Sequence, residues 1–548
     1  MTSPESVPDN LRSIFNHQGT EDDVHYLRSL LGDAFVDWVL ANEGDSFTAA
    51  QVETAGVLAS FMHMYSSGRP ELPAAFAASS LCFYYEPART TFLNHCRNHA
   101  GGEKEIVNGS SGDRLLSALL AFAEECYGEM LLPTYLGMHG PYFHHHIKTE
   151  AGQNLVNAIY DEQIFPGSPE IDIHVPAHGA EFMYSFPGMH ASNLIWSAWN
   201  HAKLEAGTPT LDQLADKIPT VLDQHRSLAS GGTAMVTAIA SLTGVRLPDD
   251  VQISGAWGRI RPARVGDHPS SVRAFIDQRT TTTTDNGDKV EISDAGDVIF
   301  ETTIPMQVRI NDEGWAFNRQ EDFEEKINKI CLALALAVER SSRPIIFAVW
   351  STILIPIASL EPLPLTNPQF MAARMPTLLT PEEIISWQRW INITMSVDMS
   401  HLTVAMTRTL RAMTERRDPG DRLIDAVIAW ESLFGGRPET TLRVSASLAR
   451  LLHPPVVQER ETARQYYAKI YDARSSIVHA GKKIPAAQLD EYGRKAIDTS
   501  LKVIAMLLTT HTSLRHLGSD SRSKQILLGA DNPPRSSNEA GGAHETAP

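Results

Sequence analysis

The chain has 548 residues, a composition that is 43% apolar and 20% charged, and a formal net charge of −18 at pH 7. This length predicts two or more domains, and the ordinary composition excludes a collagen-like or wholly disordered chain. The four cysteines form no Cys-x-x-Cys pair, which argues against a disulfide framework and a thiolate zinc site and fits a cytoplasmic protein. The first residues lack a basic segment followed by an apolar one, so we expect no signal peptide.

The first 245 residues read as mainly helical. Residues 1–20 are polar and interrupted by prolines, which predicts a flexible N-terminus. In the region 21–245, apolar positions recur three and four residues apart over 22–31 and 111–130, and a further helix is predicted over 193–205. The same pattern predicts a helix over 211–243, with a candidate break at its two adjacent glycines.

Residues 246–360 have a different pattern and predict an α+β region. Four short segments have the β-branched residues and turn signals of strands: 280–284, 290–293, 298–302 and 306–310. A helix over 321–341 follows, and then an apolar segment at 344–360. This apolar segment is short for a membrane span and contains Pro356, so a buried strand over 345–358 is favoured and no membrane association is expected.

The remainder of the chain predicts a linker, a helical bundle and a tail. Residues 361–380 are a Pro-rich linker, residues 381–516 an all-helical domain, and residues 517–548 a disordered tail. Thr380 followed by proline and two glutamates is a helix start signal. Five helices are predicted in this domain: 381–416, 421–434, 439–453, 456–478 and 485–512. The fold class is therefore α+β and mainly helical, with a C-terminal all-α bundle.

The segment Tyr471–Gly481 places Arg474 five residues before His479, at the predicted end of a long polar helix. Arginine is a permanent cation that binds phosphate, and histidine exchanges a proton near neutral pH. These two groups are the minimum equipment for cutting RNA without a metal, because one stabilises the charge on the phosphate and the other moves the proton. On an ideal helix the two residues lie about 140° apart and do not share a face. They could still converge if the last turn of the helix loosens, or if two copies of the chain meet across a dimer.

Three segments together resemble the Apea-like HEPN family: Arg422–Phe434, Leu442–Leu452 and Tyr471–Gly481, the last with the Arg-x4-His signature. The resemblance covers the C-terminal bundle alone. It implies a metal-independent endoribonuclease that acts as a homodimer on RNA, without a cofactor, and that is associated with defence or toxin systems. In this reading a regulatory ligand would bind the N-terminal region.

The resemblance also implies roles for individual residues. His479 is the general acid or base, Arg474 the phosphate clamp, and Glu431 or Asp472 an orienting group. Many active HEPN ribonucleases carry Asn, His or Asp after the arginine, whereas this chain has Ser475, which the Apea-like subgroup often shows. The candidate RNA-binding residues are Ser475, Lys482, Lys483, Arg411 and Arg417.

Several alternatives stay open. Arg474 could instead be a structural partner of Asp472 or Glu431, and His479 could lie at a helix end for its favourable dipole interaction. The bundle would then be a catalytically silent dimerisation or RNA-binding module. Residues 381–516 hold 19 Lys and Arg against 15 Asp and Glu, so the domain is only mildly basic.

A separate metal enzyme in the His-rich stretch is a third option. The histidines have no spacing typical of a metal site, so no metal is expected. They are His139, His144, His145, His146, His174, His178 and His190.

Overall fold

The structure is a computed structural model of the whole chain. It describes residues 48–54, 83–101, 106–107, 112–130, 146–162, 171–173, 183–185, 187–206, 209–264, 267, 279–283, 289–293, 296–311, 314–317, 320–338, 343–356, 363–364, 376–416, 418–436, 438–479 and 484–529. The helices of these ranges are α1 (Phe92–Ala100), α2 (Arg114–Met130), α3 (Glu150–Glu162), α4 (Pro187–Ala206), α5 (Leu211–Ala229), α6 (Gln320–Ala337), α7 (Pro381–Ser396), α8 (Thr403–Thr414), α9 (Pro419–Phe434), α10 (Thr440–Leu452), α11 (Val457–Val478), α12 (Ala486–Thr509), α13 (Thr512–Arg515) and α14 (Ser519–Leu528). The strands are β1 (Tyr84–Tyr85), β2 (Thr90–Thr91), β3 (Ile171–Ile173), β4 (Met183–Ser185), β5 (Thr233–Thr243), β6 (Val245–Arg246), β7 (Ile253–Gly255), β8 (Gly258–Pro262), β9 (Arg279–Thr283), β10 (Lys289–Ser293), β11 (Val298–Asn311), β12 (Gly314–Phe317), β13 (Phe347–Leu354), β14 (Leu363–Pro364) and β15 (Thr377–Leu378).

The chain is mainly helical with antiparallel strands, which confirms the α+β fold class. It divides into two compact units. The first is Met1–Ser241, Ala263–Gln320 and Trp350–Leu365, and the second is Leu242–Pro262, Glu321–Val349 and Thr366–Pro548. The second unit therefore contains the predicted bundle together with two segments that the sequence had suggested belong to the preceding α+β region.

The first unit contains a group of packed helices and a β-sheet. Helices α2, α3, α4 and α5 pack against one another, and the strands are ordered β14-β13-β5-β11, with β12 paired to β11. The strands predicted at 280–284 and 290–293 are present as β9 and β10, which pair antiparallel with Thr282 opposite Val290. The two strands predicted at 298–302 and 306–310 are one continuous strand, β11.

One helix prediction in this unit was wrong. The predicted helix over 211–243 ends at Ala229, and residues 233–243 form β5. Gly231 has a φ of +76°, a left-handed conformation that stops the helix at low cost because glycine lacks a Cβ. Five of the eleven residues of the following segment are β-branched, three of them Thr, and the segment alternates between buried and exposed positions at its start, as a strand requires.

In the second unit, α6 and α7 pack around buried tryptophan side chains. Trp387 of α7 is fully buried, and its indole N–H donates to the Ile330 carbonyl of α6 at 3.2 Å. Trp257 follows β7 and donates to Asn392 at 2.9 Å. The predicted linker is not wholly irregular, because Thr377–Leu378 pairs in parallel with β6. Thr380 and Glu383 form the reciprocal capping box that the start signal predicted.

The bundle differs from prediction at both of its ends. The predicted helix over 381–416 is two helices, since α7 ends at Ser396 and a short 3-10 turn precedes α8. Asp398 causes the break locally, because its carboxylate accepts hydrogen bonds from the N–H and hydroxyl of Ser400. The predicted disordered tail over 517–548 begins instead with α14, which packs against α9 and α10.

The bundle core is formed by α8, α9, α10, α11 and α12. Trp430 of α9 is fully buried, and its indole N–H donates to the Ala496 carbonyl at 3.1 Å. The Tyr467 ring meets Trp430 edge-on with the ring centres 5.6 Å apart, and His453 bonds the Tyr467 hydroxyl at 3.1 Å. These contacts join α9, α10, α11 and α12 and fix which face of α11 points inward. Among the described residues, no helix is long and apolar enough to cross a membrane.

Candidate functional site

The candidate site lies between α9 and the C-terminal half of α11. Helix α9 starts where it does because the Asp418 carboxylate accepts hydrogen bonds from the Gly420 and Asp421 N–H groups, and Pro419 occupies the first turn. A Cβ at Gly420 would lie 3.7 Å from Ile477 Cδ1. The first turn of α9 therefore packs beside Ile477, near the end of α11.

Glu431 is the point at which the two helices make polar contact. It follows the buried Trp430, and its side chain is 26% exposed. One carboxylate oxygen, Oε1, accepts a hydrogen bond from the Tyr471 hydroxyl at 2.5 Å. The other, Oε2, lies 3.7 Å from Arg474 Nη2. The sequence had named Glu431 as a partner of Arg474 from a second helix, and this contact is present.

Arg474 is held by charge but not by hydrogen bonds. The 3.7 Å separation from Glu431 is an ion pair that is too long for a hydrogen bond. Within the described ranges its guanidinium has no hydrogen-bond acceptor, and its Nε is buried and unsatisfied. A buried donor without an acceptor costs about 1–3 kcal/mol, so this Nε would gain from an incoming acceptor.

Other arginines of the bundle are bonded differently. Arg408 and Arg416 each donate to Asp425 at 2.6 Å, and Arg422 donates to Asp490 at 2.5 Å. The Asp425 carboxylate also raises the pKa of Arg416. A basic cluster of this kind in a sequence is compatible with a phosphate-binding face or with a solvated one. The structure shows that these three side chains are engaged by carboxylates.

The candidate RNA-binding arginine Arg411 is also paired. It is exposed and lies 3.7 Å from Glu415, one helical turn away. An exposed pair of this kind contributes little to stability, so Arg411 can be released to another anion at low cost. The remaining members of the predicted RNA-binding set, Arg417, Lys482 and Lys483, lie outside the residues that the structure describes.

His479 lies immediately after the last residue of α11 rather than within its last turn. Its main-chain N–H donates to the Ser475 carbonyl at 3.0 Å, and its side chain is exposed. Arg474 instead faces α9 through Glu431. In a single chain Arg474 therefore faces α9, whereas the His479 side chain is exposed just beyond the end of α11.

Asp472 and Ser475 lie on the same side of α11 as His479. Asp472 is exposed, and the pairing of Arg474 is with Glu431 rather than with Asp472. Ser475 is half-buried. The structure thus brings Arg474 together with Glu431, and it leaves Asp472, Ser475 and His479 on a neighbouring open face.

Tyr471 is the site residue that sequence reasoning missed. Burial is the largest cause that raises the pKa of its phenol, and the Glu431 carboxylate raises it further. The hydroxyl is therefore a proton donor at neutral pH. Its position three residues before Arg474 was a usable signal, because residues three apart on a helix share a face.

A metal site finds no support in the described part of the chain. No group of three or more His, Cys, Asp or Glu side chains is close enough there to hold a metal ion. Of the His-rich stretch, only His146 and His190 fall within the described ranges.

The chain matches no protein-family model, no curated protein and no solved structure.

Proposed function

We propose that the C-terminal bundle is a metal-independent endoribonuclease of the HEPN type, active as a homodimer. The observation that carries this proposal is the state of Arg474. A guanidinium that is paired by charge, has no hydrogen-bond acceptor within the described residues and keeps a buried Nε is suited to receive phosphate oxygens. The exposed His479 ends the same helix and is free to reach a bound strand.

The reaction follows from the two side chains. A His479 imidazole accepts the proton of a 2′-hydroxyl, and the resulting oxyanion attacks the adjacent phosphorus. Arg474 stabilises the charge that develops on the phosphoryl oxygens. The bond from phosphorus to the 5′ oxygen breaks, and an imidazolium returns a proton to that oxygen. The products are a 2′,3′-cyclic phosphate and a 5′-hydroxyl. In a dimer, two copies of α11 supply the histidines and arginines from two sides.

The cellular setting of the proposal is a reducing cytoplasm. The three cysteines within the described ranges, Cys96, Cys126 and Cys331, are buried and form no disulfide. Burial raises the pKa of Cys96 to about 11 and that of Cys331 to about 12, which keeps these thiols protonated and unreactive. We further propose that the first unit senses a regulatory ligand and that the protein acts in defence or as a toxin, a role that rests on the resemblance alone.

The test is RNA cleavage in EDTA. Purified wild-type protein is incubated with a mixed RNA pool beside the His479→Ala and Arg474→Ala variants. His516→Ala and Arg389→Ala are matched controls, because both residues are exposed elsewhere in the second unit. We expect cleavage with cyclic-phosphate ends by the wild type and both controls, and a loss of at least about 100-fold in the two site variants. Equal cleavage by all five proteins would place the activity elsewhere.

A second function is favoured by a specific observation. Arg408, Arg416 and Arg422 are engaged by carboxylates, and Glu431 neutralises the charge of Arg474, which limits the basic surface of the bundle. These pairs suit a catalytically silent module for dimerisation or RNA binding. RNA that is bound with a steep salt dependence but stays intact would select this alternative.

A further inference from the structure

Tyr471 makes the closer of the two polar contacts of the Glu431 carboxylate. Its hydroxyl lies 2.5 Å from Oε1, whereas Arg474 Nη2 is 3.7 Å from Oε2. An arginine beside a free carboxylate normally closes to a hydrogen bond of about 2.7–2.9 Å. Asp425 shows the closed arrangement in the same bundle, since both of its oxygens accept from arginines at 2.6 Å. The hydrogen bond from Tyr471 thus occurs together with an Arg474–Glu431 ion pair that is longer than a hydrogen bond.

The geometry of α11 explains how one residue influences the other. Tyr471 and Arg474 are three residues apart and face α9 together, so both reach Glu431 from the same helix. A carboxylate whose Oε1 accepts a short hydrogen bond from a phenol is fixed in orientation. The Glu431 carboxylate then attracts the charge of Arg474, but its Oε2 stays too far from the guanidinium to accept a hydrogen bond.

We propose that Tyr471 is a positioning residue that acts through Glu431 to keep the Arg474 guanidinium open to a phosphate of the RNA strand. The inference rests on the proposed function for the identity of the ligand. Without the Tyr471 hydroxyl, Glu431 turns toward Arg474, closes a bidentate pair and competes with phosphate. The loss of one neutral hydroxyl thereby weakens the binding of an anion that this hydroxyl never touches.

The experiment measures binding without cleavage. A fluorescent RNA oligonucleotide with 2′-O-methyl groups at every position cannot attack its own phosphates. Its affinity is measured by anisotropy at low salt for the wild type, Tyr471→Phe, Glu431→Gln and the double variant Tyr471→Phe/Glu431→Gln. Tyr466→Phe is the control, because Tyr466 lies on the same helix and is half-buried, and its hydroxyl has no hydrogen-bond partner in the described part of the chain.

We expect Tyr471→Phe to weaken binding by about tenfold, the effect of one competing charged hydrogen bond. Tyr466→Phe should bind like the wild type. The double variant should recover the affinity of Glu431→Gln, because a neutral amide does not hold the arginine as a carboxylate does. A merely structural role for Tyr471 would give no such recovery. Wild-type affinity in Tyr471→Phe, or a double variant as weak as Tyr471→Phe, would overturn the inference.

Two further measurements keep the inference separate from the proposed function. Urea unfolding midpoints establish that Tyr471→Phe is folded. In the Arg474→Gln background, Tyr471→Phe should cause no additional loss of affinity, since the group through which it acts is gone. If unmodified RNA stays intact while the recovery in the double variant is observed, the positioning role stands and the endoribonuclease fails. Absence of oligonucleotide binding by the wild type would overturn both.

Discussion

Arg522 is the fully buried cation of α14, and its replacement tests how the end of the chain is held. Its guanidinium donates to the main-chain carbonyls of Leu433 at 2.9 Å, Leu514 at 3.0 Å and Leu517 at 2.6 Å. Leu433 lies in the last turn of α9, where carbonyl oxygens have no partner within the helix. One side chain therefore bonds acceptors from two segments of the chain, the end of α9 and residues 514–517, and the negative end of the α9 dipole stabilises its charge.

The cost of Arg522→Met follows from these contacts. Burial of the guanidinium is unfavourable and lowers the pKa of Arg522 to about 10, so the side chain remains charged at neutral pH. Methionine removes this burial cost but leaves the Leu433 and Leu517 carbonyls without their guanidinium donor, at about 1–3 kcal/mol each. The Leu514 carbonyl keeps the Leu517 N–H as a donor at 3.3 Å. Because removal of the buried charge offsets part of this loss, we expect a net loss of about 3 kcal/mol in the free energy of unfolding.

Hydrogen exchange measured by mass spectrometry is the assay, because it resolves α14 from the rest of the chain. Arg522→Met should raise the exchange rates of α14 and of the last turn of α9, and it should lower the urea midpoint. Lys524→Met is the control, since Lys524 forms only a surface pair with Asp520 at 2.6 Å and should change stability by less than about 1 kcal/mol. Unchanged protection of α14 in Arg522→Met would refute the argument that the carbonyl contacts hold this helix.

Two further predictions concern buried polar groups. Asp425→Asn should lower the free energy of unfolding by about 2–3 kcal/mol, because Asp425 is buried between Arg408 and Arg416, as measured by urea unfolding. Added phosphate should not restore the stability of the variant. Recovery of stability with phosphate would instead indicate that Arg408 and Arg416 form an anion-binding site. Burial lowers the pKa of His201, whose ring nitrogens bond the Ser197 carbonyl at 2.7 Å and the Thr237 hydroxyl at 3.0 Å. The unfolded chain then binds more protons than the folded chain below about pH 6.5, so stability should rise with pH up to that value and then level off. His201→Gln should flatten this dependence in unfolding midpoints measured across the same range, and an equally steep dependence in the variant would contradict it.

The helices of the bundle could be predicted because their signals are local. The apolar spacing of α9, α10, α11 and α12 and the capping box at Thr380 depend on residues within a few positions of one another. Two errors came from treating a pattern as continuous. The short polar turn at Asp398 interrupts the first bundle helix, and the strand β5 continues the apolar pattern of α5 after its glycines.

The error at α14 has a different cause. Its composition is polar, and the helix is held by Arg522 contacts with carbonyls that are distant in sequence, such as that of Leu433. No local pattern records an acceptor 89 residues earlier in the chain. The pairing of Arg408 and Arg416 with Asp425 was hidden for a related reason, because a run of basic residues looks the same whether its charges are solvated or engaged.

The candidate site contains one feature that the local sequence predicts and one that depends on contacts between helices. Glu431 was predictable, because an acid flanked by apolar residues on α9 needs a cation or a donor nearby. The sequence did not reveal that Tyr471 and Arg474 would share this single carboxylate at unequal distances, 2.5 Å and 3.7 Å. This difference in distance distinguishes a structural role of Arg474 from a phosphate-binding role. A purely structural arginine at this interface would be expected to close on Glu431 as Arg416 closes on Asp425, whereas an arginine that binds phosphate must keep its N–H donors open. The Tyr471 hydroxyl is the group in the structure that favours the open arrangement, so its removal decides between them.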